Sequence, residues 1–265
     1  MISNYKGASI KALIMDLDGT LLDNSKCISP YSQKVLRQCK NSGILLGIAT
    51  ARSIYQGRCF AKQIGADIIL CDNGAYMECG GKCVLSNTIN AQTSSALINM
   101  LLAHDEIVGT ITMESLIEYK VIKNGFLSGA VSWNGKIEID TYKITAEIFV
   151  PQYVRYLESE FPQCKIIPFR EKNWYRFSDR NACKGQIVNY LIGKVGLLKE
   201  NIVAFGDDLN DLDMIKKAGH SVAMGNAIKE IQMVADDICD DNNHNGVANY
   251  IVKHLIEGTM TIENT

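Results

Sequence analysis

No apolar run in this 265-residue chain approaches the roughly 20 residues needed to cross a bilayer. No Lys/Arg run stands out either, and 27 basic against 29 acidic side chains leave a formal charge of -2. The basic footprint of a nucleic-acid binder is therefore missing. Neither an internal repeat nor a low-complexity linker is found. The 9 cysteines, an odd number scattered from Cys27 to Cys239, lack the paired framework of a small secreted protein and read as reduced thiols. Cys79 and Cys83 stand close together, but no second Cys/His pair with zinc-site spacing accompanies them. The stretch Met1 to Ser9 is polar and short, so a cytoplasmic location is expected. What is present is 47% apolar and 21% charged residues, enough to bury a substantial core in one large domain or two modest ones. A small-molecule substrate is the default that remains, with neither nucleic acid nor membrane as partner.

Three short apolar runs end abruptly in polar residues: Ile10 to Met15 before Asp16, Ile44 to Ala49 before Thr50, and Ile202 to Phe205 before Gly206-Asp207. Each reads as a strand buried on both faces. Between them lie helix-period segments, Ser32 to Cys39, Ala51 to Ile64, Lys184 to Gly193 and Leu209 to Ala218. Alternation of this kind predicts an α/β fold, a Rossmann-like parallel sheet with helices on both faces. Ile68 to Cys71 and Ser221 to Met224 are expected to complete the sheet, and a helix is expected from about Ile228. Ligands of such sheets bind outside the carboxyl ends of the strands, so Asp16, Thr50 and Asp207 should converge.

From about Val84 to Phe177 the pattern changes. Helical segments at Thr93 to Ala103 and Pro151 to Glu160 mix with β signals at Gly109 to Met113, Leu116 to Ile122 and Lys136 to Tyr142, and Asn134-Gly135 supplies chemistry for a tight hairpin. An inserted α+β domain over residues 83–180 is expected, between core segments 1–82 and 181–265.

Asp16 and Asp18 are two residues apart at a strand tip, so an extended chain presents both carboxylates to one ligand. Asp207 ends another strand, and neighbouring strands lie about 4.8 Å apart. Two carboxylates at 4 Å repel by roughly 4 kcal/mol at an effective dielectric of 20, a cost that a divalent cation removes. All-oxygen donors of this type suit Mg2+. A single Asp after a strand is ordinarily a helix cap. The run Gly206-Asp207-Asp208-Leu209-Asn210-Asp211 carries three carboxylates and an amide in one strand-to-helix turn, more than capping requires.

The segments Asp16-Leu17-Asp18-Gly19-Thr20, Thr50, Lys184-Gly185 and Gly206 to Asp211 occur in the order seen in the haloacid dehalogenase (HAD) superfamily, which the chain resembles. Val222-Ala223-Met224-Gly225-Asn226-Ala227 and Asn245-Gly246-Val247-Ala248 look like its Cof-like, type IIB, sugar-phosphatase branch. The resemblance implies a magnesium-dependent phosphatase of small phosphate monoesters, such as a sugar phosphate or related metabolite, working through an aspartyl-phosphate. It makes Asp16 the nucleophile and Asp18 the general acid and base. Thr50, the backbone around Ala51, Arg52 and Asn210 would bind the phosphate or substrate, and Lys184 would neutralise both Asp16 and the phosphoryl group. Mg2+ would be held by Asp16, the backbone carbonyl of Asp18, Asp207 and Asp211. Ala51 stands where the family often has Gly, and its methyl group is expected to tighten the approach of backbone to phosphate. Asp208 reads as a first-turn helix residue. The inserted domain would be a cap that excludes water and contacts the rest of the substrate, with Arg170, Lys172 and Trp174 as candidate contacts. A monomer or weak homo-oligomer is expected. The same residues suit a phosphomutase or a non-catalytic phospho-ligand binder; a receiver-like signalling domain shares the acidic pair, Thr and Lys but lacks the insertion.

Overall fold

A computed structural model describes residues 9–123, 133–169 and 173–256. Its first strand, β1 (Ala12–Met15), is buried at all four positions, as an apolar run flanked by strands on both edges must be. Ser29 then caps α1 (Pro30–Asn41) by accepting from the Ser32 N–H, with Pro30 in the first turn. The chain continues through β2 (Leu45–Ala49), α2 (Ile54–Ile64), β3 (Ile68–Cys71), β4 (Tyr76–Cys79) and β5 (Lys82–Ser86). A second segment, α3 (Ala91–Leu102), β6 (Val108–Glu114), β7 (Tyr119–Lys123), β8 (Lys143–Ile148), α4 (Pro151–Glu160), β9 (Cys164–Pro168) and β10 (Trp174–Asp179), follows. The remainder is α5 (Gln186–Tyr190), β11 (Ile202–Gly206), α6 (Leu212–Lys217), β12 (His220–Ala223), α7 (Lys229–Gln232), β13 (Asp237–Ile238) and α8 (Gly246–Ile251).

Two compact units result: one from the chain through Leu85 and from Cys183 onward, the other Ser86–Ala182. The first holds an eight-stranded sheet in the order β13-β12-β11-β1-β2-β3-β4-β5. Pairings from β13 to β3 are parallel, and β4 runs antiparallel to β3. Alternate residues of β1 and β11 face opposite sides. Ala12, Ile14, Ile202 and Ala204 pack with Ile187 and Val188 of α5 and Met214 and Ile215 of α6. Phe205 points the other way, meeting Tyr250 of α8 edge-on at 5.7 Å. Helices therefore cover both faces, the α/β arrangement that the alternating pattern predicts.

The antiparallel edge is not anticipated by that pattern. Gly80 (φ 56°) and Gly81 (φ 75°) make a two-residue hairpin turn of the kind that joins antiparallel strands. Cys79 and Cys83 therefore sit on the two arms of a hairpin, both as free thiols.

Ser86–Ala182 builds a five-stranded antiparallel sheet, β7-β6-β8-β10-β9. One face packs Ile111, Met113, Ile144, Ala146, Ile148 and Phe177 against Leu97, Ile98 and Leu101 of α3 and Leu157 of α4. Two sequence expectations fail here. Ser115 takes a turn with Glu118, Ser115 N–H to Glu118 carbonyl at 2.9 Å, so the strand begins at Tyr119 rather than Leu116. Lys136 to Tyr142 is irregular apart from a Thr141–Ile89 bridge, and the strand starts at Lys143. Asp140 in that segment is consumed by α3, accepting from the Ala91 N–H at 3.0 Å and from Thr88 Oγ1 at 3.2 Å. Local alternation is thus overridden by a helix terminus that needs an acceptor.

Candidate active site

Register explains why Asp16 and Asp207 meet. Met15 pairs with Phe205 across β1 and β11, so the two acids follow the ends of adjacent parallel strands. Gly19 (φ 85°) lets the loop after β1 turn over Asp207: a Cβ at that position would stand 2.3 Å from Asp207 Oδ2. Asp16, Asp207 and Asp211 are all buried, and one carboxylate oxygen of each lies within 4.8 Å of the others. Thr20 Oγ1 donates to Asp207 Oδ1 at 3.0 Å. Asp211 Oδ2 accepts from the N–H groups of Asp207 at 2.9 Å and Asp208 at 3.1 Å, which fixes the strand-to-helix turn.

Lys184 is buried between the two halves of this acidic cluster. Its ammonium donates to Asp16 Oδ1 at 2.7 Å and to Asp211 Oδ1 at 2.6 Å. One cation faces three carboxylates, and the imbalance shows in the proton affinities of Asp16 and Asp207. Burial raises Asp16 well above the usual carboxylate range, with Asp211 and Asp207 adding to the rise and Lys184 opposing it. Burial, reinforced by Asp211, pushes Asp207 up to about 6. For Lys184, burial opposes the charged form, but Asp16 and Asp211 outweigh it and raise its affinity for the proton. Hard oxygen donors with uncompensated negative charge fit a divalent cation such as Mg2+.

Asp18 is set apart from that cluster. Arg52 grips it in two places, Nε to Oδ2 at 2.6 Å and Nη2 to Oδ1 at 2.8 Å, and Lys26 Nζ adds a third bond to Oδ1 at 2.8 Å. Partial burial works against ionisation, yet Arg52 and Lys26 outweigh it and lower Asp18 to about 2. The Arg52 guanidinium also lies 5.0 Å over the ring of Phe60.

Thr50 is buried just past β2, and its Oγ1 accepts from the Arg52 N–H at 3.1 Å. Ala51 and Asn210 are partly exposed, Asn210 in the same turn as Asp211. Asp208 caps that turn, its Oδ1 accepting from the Leu209 N–H at 2.8 Å. Three polar residues were not singled out from sequence. Thr20 and Lys26 bind the acids, and Asn226 Nδ2 donates to the Gly19 carbonyl at 2.8 Å. Thr20 and Asn226 lie inside the Asp16 to Thr20 and Val222 to Ala227 motifs, whereas Lys26 carries no local signal. Trp174 lines a cavity of about 430 Å³ on Ser86–Ala182, with Thr110, Thr112, Lys143 and Thr145. Arg170 and Lys172 lie outside the described residues.

The family model of haloacid dehalogenase-like hydrolases matches residues 13–251. The chain belongs to that family. Among curated relatives of this HAD hydrolase, Phosphatase YwpJ of Bacillus subtilis (strain 168) is 25% identical over 286 residues, covering 93% of this chain and 100% of the relative. Pyridoxal phosphate phosphatase YbhA of Escherichia coli (strain K12) is 27% identical over 277 residues, covering 93% and 99%. A solved HAD subclass IIB sugar phosphatase superposes with a TM-score of 0.74 at 20% identity, over 92% of this chain and 98% of that one. The HAD fold and the Cof-like resemblance read from the motifs are thereby supported. Among the described residues no helix is long and apolar enough to cross a membrane.

Proposed function

We propose that this HAD hydrolase cleaves phosphate monoesters of small metabolites, sugar phosphates or related compounds, through transient phosphorylation of Asp16. The observation that carries the reading is the Lys184 ammonium held between Asp16 and Asp211 beside Asp207. A buried carboxylate so oriented is a nucleophile whose attack on an anionic phosphoryl group is not blocked by charge repulsion. Curated relatives named as phosphatases support the same reaction class.

Asp16 forms a bond to phosphorus as the bond to the ester oxygen breaks, and Asp18 delivers a proton to that oxygen. Water then attacks the acylphosphate, Asp18 takes its proton, and inorganic phosphate leaves with Asp16 restored. Thr50, the Ala51 N–H, Arg52 and Asn210 hold the phosphoryl oxygens or substrate. Since Arg52 and Lys26 keep Asp18 ionised, they must shift toward the incoming dianion before Asp18 can carry a proton. Asp16, Asp207, Asp211 and the Asp18 carbonyl would hold Mg2+, which when bound neutralises the charge gathered at the transferring group.

Ser86–Ala182 is proposed as the substrate-selecting cap. Its cavity sets Thr hydroxyls and Lys143 beside Trp174, groups suited to a hydroxylated organic moiety.

The test is phosphate release from a panel of small phosphomonoesters with Mg2+. Turnover is expected with Mg2+ and none after chelation, and Asp16→Asn is expected to release no phosphate. Ordinary turnover by that variant would refute the nucleophile.

A further inference from the structure

The turn joining β3 to β4 contains Asp72 (φ 48°), Asn73 (φ 59°) and Gly74 (φ 101°), three successive residues in left-handed conformations. Glycine takes that conformation freely, while Asp and Asn take it at a cost that persists only where the surroundings hold it. Asp72 and Asn73 are buried at 0% and 3% exposure, so this is no solvent-facing loop. Asn73 Oδ1 is buried with no hydrogen-bond partner among the described residues.

The backbone donors of the turn both reach the end of β2. Asp72 N–H donates to the Arg52 carbonyl and Asn73 N–H to the Thr50 carbonyl, each at 2.9 Å. A trans peptide is planar, with its N–H opposite its carbonyl. Holding the Thr50 carbonyl therefore turns the Ala51 N–H away from the turn, and holding the Arg52 carbonyl does the same to the Ser53 N–H. Gly74 has a second neighbour, since a Cβ there would lie 2.3 Å from both N and O of Cys183. The peptide preceding Lys184 thus runs directly against Gly74.

We propose that the Asp72-Asn73-Gly74 turn is the positioning element of the transfer site, registering the Thr50–Ala51 peptide assigned above to the phosphate, together with the adjoining Arg52–Ser53 peptide, against the backbone that carries Lys184. Asn73 acts here as a positioning residue, through its left-handed backbone. This inference rests on the phosphatase reading above, and deepens it by assigning the anion-binding geometry to a strained turn.

The full-length protein with Asn73→Ala, which disfavours the positive φ, is compared with Asn73→Gly, which permits it. Inorganic phosphate binding with Mg2+ present, followed by calorimetry, is read beside kcat and KM for a small phosphomonoester and the thermal midpoint. Asn73→Ala is expected to weaken phosphate binding and lower kcat/KM by about tenfold, while Asn73→Gly stays within about threefold of the parent. If Asn73→Ala does not fold, Asp72→Ala strains the same turn and should show the same loss. Two outcomes overturn the proposal: unchanged phosphate affinity in folded Asn73→Ala, which leaves only a structural role, and equal impairment in Asn73→Gly. A parent protein that binds no phosphate overturns it as well. A parent that binds phosphate but hydrolyses no ester refutes the phosphatase reading alone, and the affinity comparison still decides the role of the turn.

Discussion

Lys184 carries the electrostatic balance of the site, because it is the buried cation bonded to both Asp16 and Asp211. Removing one partner of a buried pair leaves uncompensated charge, which costs about 3–5 kcal/mol. Lys184→Ala is therefore expected to lose turnover and about that much stability in urea titrations. The two aspartates with resolved values give opposite pH behaviour. Asp207, raised to about 6, holds its proton more tightly when folded, so its contribution to the stability of the metal-free protein is fully present below the unfolded value near 4. That contribution is lost as the pH rises through about 6, and thermal melts with and without Mg2+ should show the loss only without it. Asp207→Asn should remove the dependence. Asp18, lowered to about 2, contributes stability above about 4 that is lost as the pH falls toward 2. Arg52→Ala should flatten that acid limb.

Among the elements, β2 tests how closely the core is fitted. Gly47 pairs with Ile14 across β1 and β2, and a Cβ added there would meet Ile14 Cδ1 at 2.5 Å and Ile187 Cδ1 at 3.0 Å. Overpacking of this kind costs about 1–3 kcal/mol. Gly47→Ala should lower the denaturation midpoint accordingly. Because β2 ends in the Thr50 to Arg52 segment, kcat should fall as well, whereas a surface change on α1 such as Lys34→Ala should alter neither.

At the scale of the whole molecule, each unit has its own apolar core, one around Ile14, Ile187 and Met214 and the other around Leu97, Leu157 and Phe177. Leu157 is fully buried, so Leu157→Ala should remove about 2–5 kcal/mol from Ser86–Ala182. Calorimetry is expected to split into two transitions in that variant. Phosphate with Mg2+ should then raise the transition of the unit that holds Asp16 and leave the other unmoved.

Much of this protein was legible along the chain. The runs before Asp16, Thr50 and Asp207 become parallel strands because a strand buried on both faces must be continuously apolar, a property visible one residue at a time. Their polar ends cluster because parallel strands share one carboxyl edge. The β4–β5 hairpin was not anticipated, because Gly80-Gly81 is a two-residue signal between short strands. Other features are pairwise and distant, so composition and periodicity could not hold them. Lys136 to Tyr142 has the local pattern of a strand, yet Asp140 serves the first turn of α3. Asp18 read as an acid and base, yet its ionisation is governed by Arg52 and Lys26, brought near it by folding. The left-handed turn at Asp72 and Asn73 depends on the carbonyls of Thr50 and Arg52, which reach it only once β2 and β3 are paired. The sequence by itself determined the reacting groups and the strands that bear them, since side-chain chemistry and burial are local. Tertiary structure alone decided their charge states and aim, since these arise from neighbours far away in the chain.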